Sequence, residues 1–137
     1  MGQSLSLPEV VRRHSLAPVK LLLDRLPASL QSRRDTLAKC LRAVDRVRRV
    51  QAVYLFGSHA RGEARPESDV DLCIVAEGAE EQLRAAADFR HAMWPVRPGL
   101  SFTLIPITPG RLAEKQAAGD PFFQTMLREG VQIAAED

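Results

Sequence analysis

Residues 55–75 read LFGSHARGEARPESDVDLCIV. Two apolar runs flank a polar insert. The first run closes on Gly57-Ser58 and the second opens on Asp69-Val70-Asp71. A strand that ends in Gly-Ser and passes into a short helix at His59-Ala60-Arg61 points free backbone N–H groups at whatever lies before it. Glycine there lets an anion approach the backbone closely. The Ser58 hydroxyl can donate to a phosphate oxygen, and Arg61 offers a forked cation nearby. Taken alone, a Gly-Ser pair at a strand end is also an ordinary turn.

The carboxylates sharpen that reading. Residues i and i+2 of a strand share a face, about 6.5–7 Å apart at Cα. Asp69 and Asp71 therefore project side by side while Val70 points into the core. Neighbouring carboxylates with no basic residue between them repel unless a cation sits there, and a hard oxygen pair suits Mg²⁺. Mg²⁺ in turn borrows ligands from substrate phosphates. The plain alternative is a surface strand start with Asp71 on an outer face. The Gly-Ser cradle ten residues upstream weighs against it.

The rest of the chain frames this stretch. Its 137 residues suffice for one domain with a real core, and 45% hydrophobic with 26% charged residues is ordinary globular usage. No run of about 18 apolar residues occurs, so no membrane span is expected. The opening MGQSLSLPEVVRRHSLAP lacks an apolar core with a small-residue cleavage site, and its Gly2/Ser6 spacing matches a myristoylation pattern only weakly. The expected location is cytoplasmic, with Cys40 and Cys73 as reduced core residues. Residues 1–50 hold eleven Lys/Arg against four Asp/Glu, net +7; residues 51–137 hold eight against thirteen, net −5. A basic front half could meet nucleic acid, nucleotide phosphates or an acidic partner, or could cover the chain's own acidic half.

Residues 1–28 read as an N-terminal arm with short helices, one around Pro8–Arg13 and one over APVKLLLDRLP up to Pro27. The domain proper spans 29–137. Leu30, Leu37, Leu41, Val44 and Val47 mark one face of a helix capped by Ser29 or Ser32 and ending near Arg49. Strands follow at 50–56, 69–76 and 100–107, the last with Pro106 suggesting an edge. Between them lies a helix over 79–93, with Leu83, Ala86, Ala87 and Arg90 at helical spacing. Thr108-Pro109 and Asp120-Pro121 each cap a helix, over 109–118 and 121–129, and VQIA forms a last short strand. This order predicts an α/β fold: a small mixed β-sheet with three core strands and packed helices. Tyr54 and Trp94 read as core or helix-packing residues rather than base-stacking platforms, and His59 as a solvent-facing residue at a helix start.

Gly57-Ser58, ten residues, then Asp69-Val70-Asp71 resembles the Gly-Ser-x10-Asp-x-Asp signature of the DNA polymerase β-like nucleotidyltransferase superfamily. The wording FGSHARGEARPESDVDLCIV and the tail ITPGRLAEKQAAGDPFFQTMLREGVQI resemble its minimal nucleotidyltransferase branch, the antitoxin partners of HEPN toxins. The resemblance implies that Gly57 and Ser58 bind nucleoside triphosphate, with Arg61 beside them. It implies that Asp69 and Asp71 are catalytic and hold Mg²⁺, and that AMP passes from ATP to a hydroxyl of a HEPN-type toxin.

One position departs from the pattern. The superfamily's third carboxylate would fall at Thr103, and no Asp or Glu occurs between Asp88 and Glu114. A threonine hydroxyl is a poor substitute towards Mg²⁺. Glu114 and Asp120 fall on later helices and have no assigned place in the site. Two readings therefore stand: a Mg²⁺-dependent transferase acting on a partner protein, and a degenerate relative that regulates its partner by contact. Transfer to RNA or a small molecule is a weaker third, and an oligomer stays open.

Overall fold

Helix α1 (Arg34–Val47) turns Leu37, Cys40, Leu41 and Val44 inward, and its arginines to solvent. The computed structural model describes residues 17–137, so the element expected around Pro8–Arg13 lies outside the described residues. A 3₁₀ segment, Ala28–Arg33, leads into α1. Neither Ser29 nor Ser32 caps the helix; its first turn has no side-chain cap. The expected helix over APVKLLLDRLP is instead strand β1 (Lys20–Leu21) followed by a 3₁₀ turn, Leu23–Arg25. Pro18 and Pro27 leave too short a segment for a helix to hold alone, and an open sheet edge takes it. Val19, Leu23 and Leu26 join the core, so the fold reaches upstream of residue 29.

The remaining strands are β2 (Val50–Phe56), β3 (Val70–Ala76), β4 (Phe102–Ile107) and β5 (Val131–Ala135). They form one five-stranded sheet in the order β1-β5-β2-β3-β4. The three expected core strands are contiguous within it, and β5 and β1 extend it antiparallel beyond β2. β2 and β3 pair antiparallel, β3 and β4 parallel. The parallel pair needs a crossover, supplied by α3 (Gln82–Met93). Asp45, near the end of α1, ties two strand starts together, accepting from the N–H of Val19 at 2.9 Å and of Val50 at 3.0 Å.

The sheet is covered unequally. On one face α1 and α3 pack against Val53, Leu55, Val70, Leu72, Ile74 and Leu104. On the other, Ala52, Cys73, Val75 and Ile107 meet Leu112 of α4 (Pro109–Ala117) and Phe123 and Met126 of α5 (Pro121–Glu129). Both expected caps form: Thr108 accepts from the Arg111 N–H at 3.1 Å, and Asp120 from that of Phe123 at 3.2 Å. Both cysteines are free and buried, with burial pushing the Cys40 thiol up to about 11 and that of Cys73 up to about 12. β4 is an edge strand, as Pro106 suggested. Its outward carbonyls are partly covered: Gln82 Nε2 donates to Pro106 O at 2.7 Å, and Arg90 Nη1 to Phe102 O at 3.1 Å. Among the described residues no helix is long and apolar enough to cross a membrane.

Helix α3 buries Ala85, Phe89 and Met93, not the face through Leu83, which is 89% exposed. Trp94 is likewise exposed rather than core, while Tyr54 packs half-buried against the second cluster. Phe89→Ala should cost about 3–5 kcal/mol, since its ring is fully enclosed, and Leu83→Ala less than about 0.5 kcal/mol. Urea unfolding of the two variants measures the contrast.

Candidate functional site

Phe56, the last residue of β2, lies opposite Asp71 in the antiparallel ladder, and Asp71 lies beside Thr103 of β4. The end of β2 and the starts of β3 and β4 thus converge. Asp69 immediately precedes β3, anchored by the Val70 N–H, which donates to Ser101 O at 2.8 Å. Asp71 projects to the face of Cys73 and Val75, beyond the stretch that α4 and α5 cover. Its side of the sheet is floored by Phe56, whose ring meets Phe122 of α5 edge-on at 5.7 Å.

Gly57 begins the short helix α2 (Gly57–Ala60) with φ +75°. A Cβ placed on it would fall 1.9 Å from Asp71 Oδ2. Only glycine allows the turn to close over that carboxylate. The turn is then fixed from behind: the N–H of Arg61 donates to Gly57 O at 3.1 Å, and that of Glu63 to Ser58 O at 2.9 Å. Ser58 remains partly accessible. The sequence stretch therefore does bring the glycine turn and the carboxylates to one place.

His59 runs against expectation. It is 6% exposed, and its Nδ1 lies 2.8 Å from Ser29 Oγ. The serine read as a helix cap thus holds the imidazole behind the turn. The sequence signal was thin: if Ser58 and Arg61 face out from one turn of helix, the residues between them face in. Arg61 is exposed, with its Nε donating to Glu63 Oε1 at 3.0 Å. The Glu63 hydrogen bond raises its pKa, with smaller contributions from the charges of Glu129 and Asp71, which puts Arg61 within electrostatic range of the site.

Thr103 occupies the position beside the pair. Its hydroxyl donates to Asp69 Oδ2 at 3.2 Å. The Asp71 carboxyl is raised above its ordinary value of 3.8, first by burial and also by the charge of Asp69; the Thr103 hydroxyl, His59 and Arg61 oppose the rise. Glu114 pairs with Arg111 at 3.0 Å and Asp120 caps α5, so neither supplies a further ligand. Among the described residues no group of three or more His, Cys, Asp or Glu could hold a metal ion. The oxygen pair, the raised carboxyl and the glycine cradle nonetheless fit one hard divalent cation shared with a phosphate.

The nucleotidyltransferase domain model matches residues 37–108, just over half of the chain. The chain belongs to the nucleotidyltransferase domain family. That match runs from α1 to the cap of α4, and so contains Gly57, Ser58, Asp69, Asp71 and Thr103. Among solved structures, one provisionally described as a minimal nucleotidyltransferase aligns at 26% identity over 75% of this chain and 91% of its own, with a TM-score of 0.45. No curated protein matches.

Two outcomes follow from the site of this nucleotidyltransferase domain. A folded-state carboxyl raised above its unfolded value loses stability as pH rises through the interval above 3.8. Asp71→Asn removes that loss, so the variant should melt higher than wild type at pH 7. The gain should shrink as pH falls to 3.8, and Mg²⁺ should raise the melting temperature of wild type only; thermal melts across pH measure both. Gly57→Ala faces both the positive φ and the carboxylate. It should lose about 1–3 kcal/mol in a denaturant titration, and with it any binding of triphosphate.

Proposed function

We propose that this domain binds a Mg²⁺–nucleoside triphosphate complex, ATP in the simplest case, and acts as a minimal nucleotidyltransferase of antitoxin type. Its acceptor would be a hydroxyl of a HEPN-type toxin, the product an AMP ester and pyrophosphate. The observation that carries this reading is the closure of Gly57 over Asp71, because it sets the backbone turn and its Ser58 directly against the carboxylate pair.

The chain's residues divide the work. Gly57 lets the turn close over Asp71, and the partly accessible Ser58 hydroxyl donates to a phosphate oxygen. Asp69 and Asp71 would hold the cation, which would supply neutralising charge for the triphosphate and the departing pyrophosphate. Burial first, and the charge of Asp69 after it, raise the Asp71 carboxyl, and a cation held there would offset both. Arg61, exchanging Glu63 for phosphate, adds a forked cation at the rim. His59 and Ser29 keep the turn in place from below.

Thr103 sets the expected rate. A neutral hydroxyl donating to Asp69 adds no charge to hold a second cation or to draw a proton from the acceptor. Losing that activation costs several kcal/mol of barrier, roughly a thousandfold in rate. The same observation favours a second reading, in which the domain binds nucleotide but controls its partner by contact alone. The experiment is a titration with each of the four triphosphates in Mg²⁺ or Mn²⁺, alongside a transfer assay, on wild type and Thr103→Asp. Saturable triphosphate binding with slow or no transfer, and transfer at least tenfold faster in Thr103→Asp, supports the proposal. Binding without any gain in the variant supports the contact-only reading. No triphosphate binding by either protein rejects both.

A further inference from the structure

At the end of α3 the chain turns through a 3₁₀ segment, Trp94–Val96, into a loop that returns to β4. Beside it lies an open groove of about 630 Å³, lined by Met93, Trp94, Leu100 and Phe102 with Arg90 and Arg97 at its rim. Trp94 is 77% exposed, a large ring with most of its surface in water. No Asp or Glu lines the groove, and neither rim arginine has an ion-pair partner among the described residues. The walls are held in place. Arg33 donates through Nη2 to Pro98 O, Arg90 holds Phe102 O, and Arg97 keeps φ 51° with its N–H on Trp94 O at 3.1 Å.

We infer that this groove docks an acidic polypeptide segment of a partner protein, with an apolar side chain seated against Trp94 and carboxylates on Arg90 and Arg97. Tryptophan, methionine, phenylalanine and arginine are the residue types enriched at protein–protein contacts, and tryptophan and arginine dominate their energetics. Two guanidinium groups, with no carboxylate beside them among the described residues, select negative charge. A single-stranded nucleic acid would want successive aromatic platforms along a basic track. Here one ring, Trp94, stands exposed, with the half-buried Phe102 and aliphatic and thioether flanks beside it rather than a row of platforms.

The groove also has a place relative to the site. Ser101 and Phe102 end its wall, and the next residue is Thr103, beside Asp69 and Asp71. A segment lying in the groove arrives at the mouth of the carboxylate pair from around the edge strand. The inference rests on the proposed transfer to a protein only for calling this segment part of the acceptor. Docking itself requires no nucleotide, so its failure is separable from failure of triphosphate binding.

Trp94 is the chain's one tryptophan, so intrinsic fluorescence reports on the groove alone. The full chain, without nucleotide, is titrated with three probes. They are a 15-residue peptide of alternating glutamate and leucine/phenylalanine character, the same peptide with lysine for glutamate, and oligouridylate. A saturable blue shift with the glutamate peptide is expected, at least tenfold weaker in Arg97→Glu. Trp94→Ala, followed by anisotropy of labelled peptide, should lose it equally, and Leu83→Ala, on the exposed face of α3, should keep it. Absence of saturation, equal binding of the lysine peptide, tighter binding of oligouridylate, or affinity unchanged in Arg97→Glu would each overturn the inference.

Discussion

The approach of Gly57 to Asp71 sets the terms for the rest of this molecule. Antiparallel pairing of β2 with β3 puts Phe56 opposite Asp71, so the residue after Phe56 must turn over a carboxylate. With 1.9 Å between a notional Cβ and Oδ2, no side chain fits, and the positive φ excludes most residues independently. The turn then has to be held from the other side. That support comes from His59, buried and bonded to Ser29 in the 3₁₀ segment ahead of α1. A backbone position intolerant of any side chain thus recruits a buried imidazole and a serine distant in sequence.

The unequal covering of the sheet decides where such a site can exist. The face under α1 and α3 is closed along its length, and β3 contributes Val70, Leu72, Ile74 and Ala76 to it without interruption. On the opposite face α4 and α5 shield Cys73, Val75 and Ile107 but stop short of the strand ends where Asp71 and Thr103 emerge. Asp71 is therefore buried enough for its carboxyl to be raised, and Asp69, just outside β3, stays exposed. One ligand is partly desolvated and the other wet. On the proposed reading a cation would enter from solvent at Asp69 and meet at Asp71 a carboxylate that gains from its arrival.

What could be read in the sequence was what is local. β-branched runs gave the strands, the Thr-Pro and Asp-Pro pairs gave two helix starts, and the Gly-Ser/Asp-x-Asp spacing brought the cradle together. What failed depends on neighbours remote in the chain. Lys20–Leu21 became a strand because β5 offers an open edge, a fact nothing between Pro18 and Pro27 encodes. Leu83 and Phe89 both suit a helix face, and only the direction from which α1 and β4 pack decides that Phe89 is enclosed. Ser29 bonds His59 across thirty residues, where a local rule saw a cap. Residue type alone suggests a core or helix-packing Trp94, yet the 3₁₀ turn after α3 directs it outward.

Thr103 can be understood through the same electrostatics. A third carboxylate at this position would stand beside Asp71 in the ladder and within reach of Asp69. Without a cation, three like charges at one strand mouth would raise one another's proton affinity and cost folded-state stability. A threonine reverses the sign of that contribution, because its hydroxyl donates to Asp69 and helps hold the Asp71 carboxyl down. The unliganded fold gains and the capacity for a second cation falls. A fast transferase would lose most of its rate. The threonine thus lowers the negative charge at the strand mouth without disturbing the glycine turn that closes over Asp71.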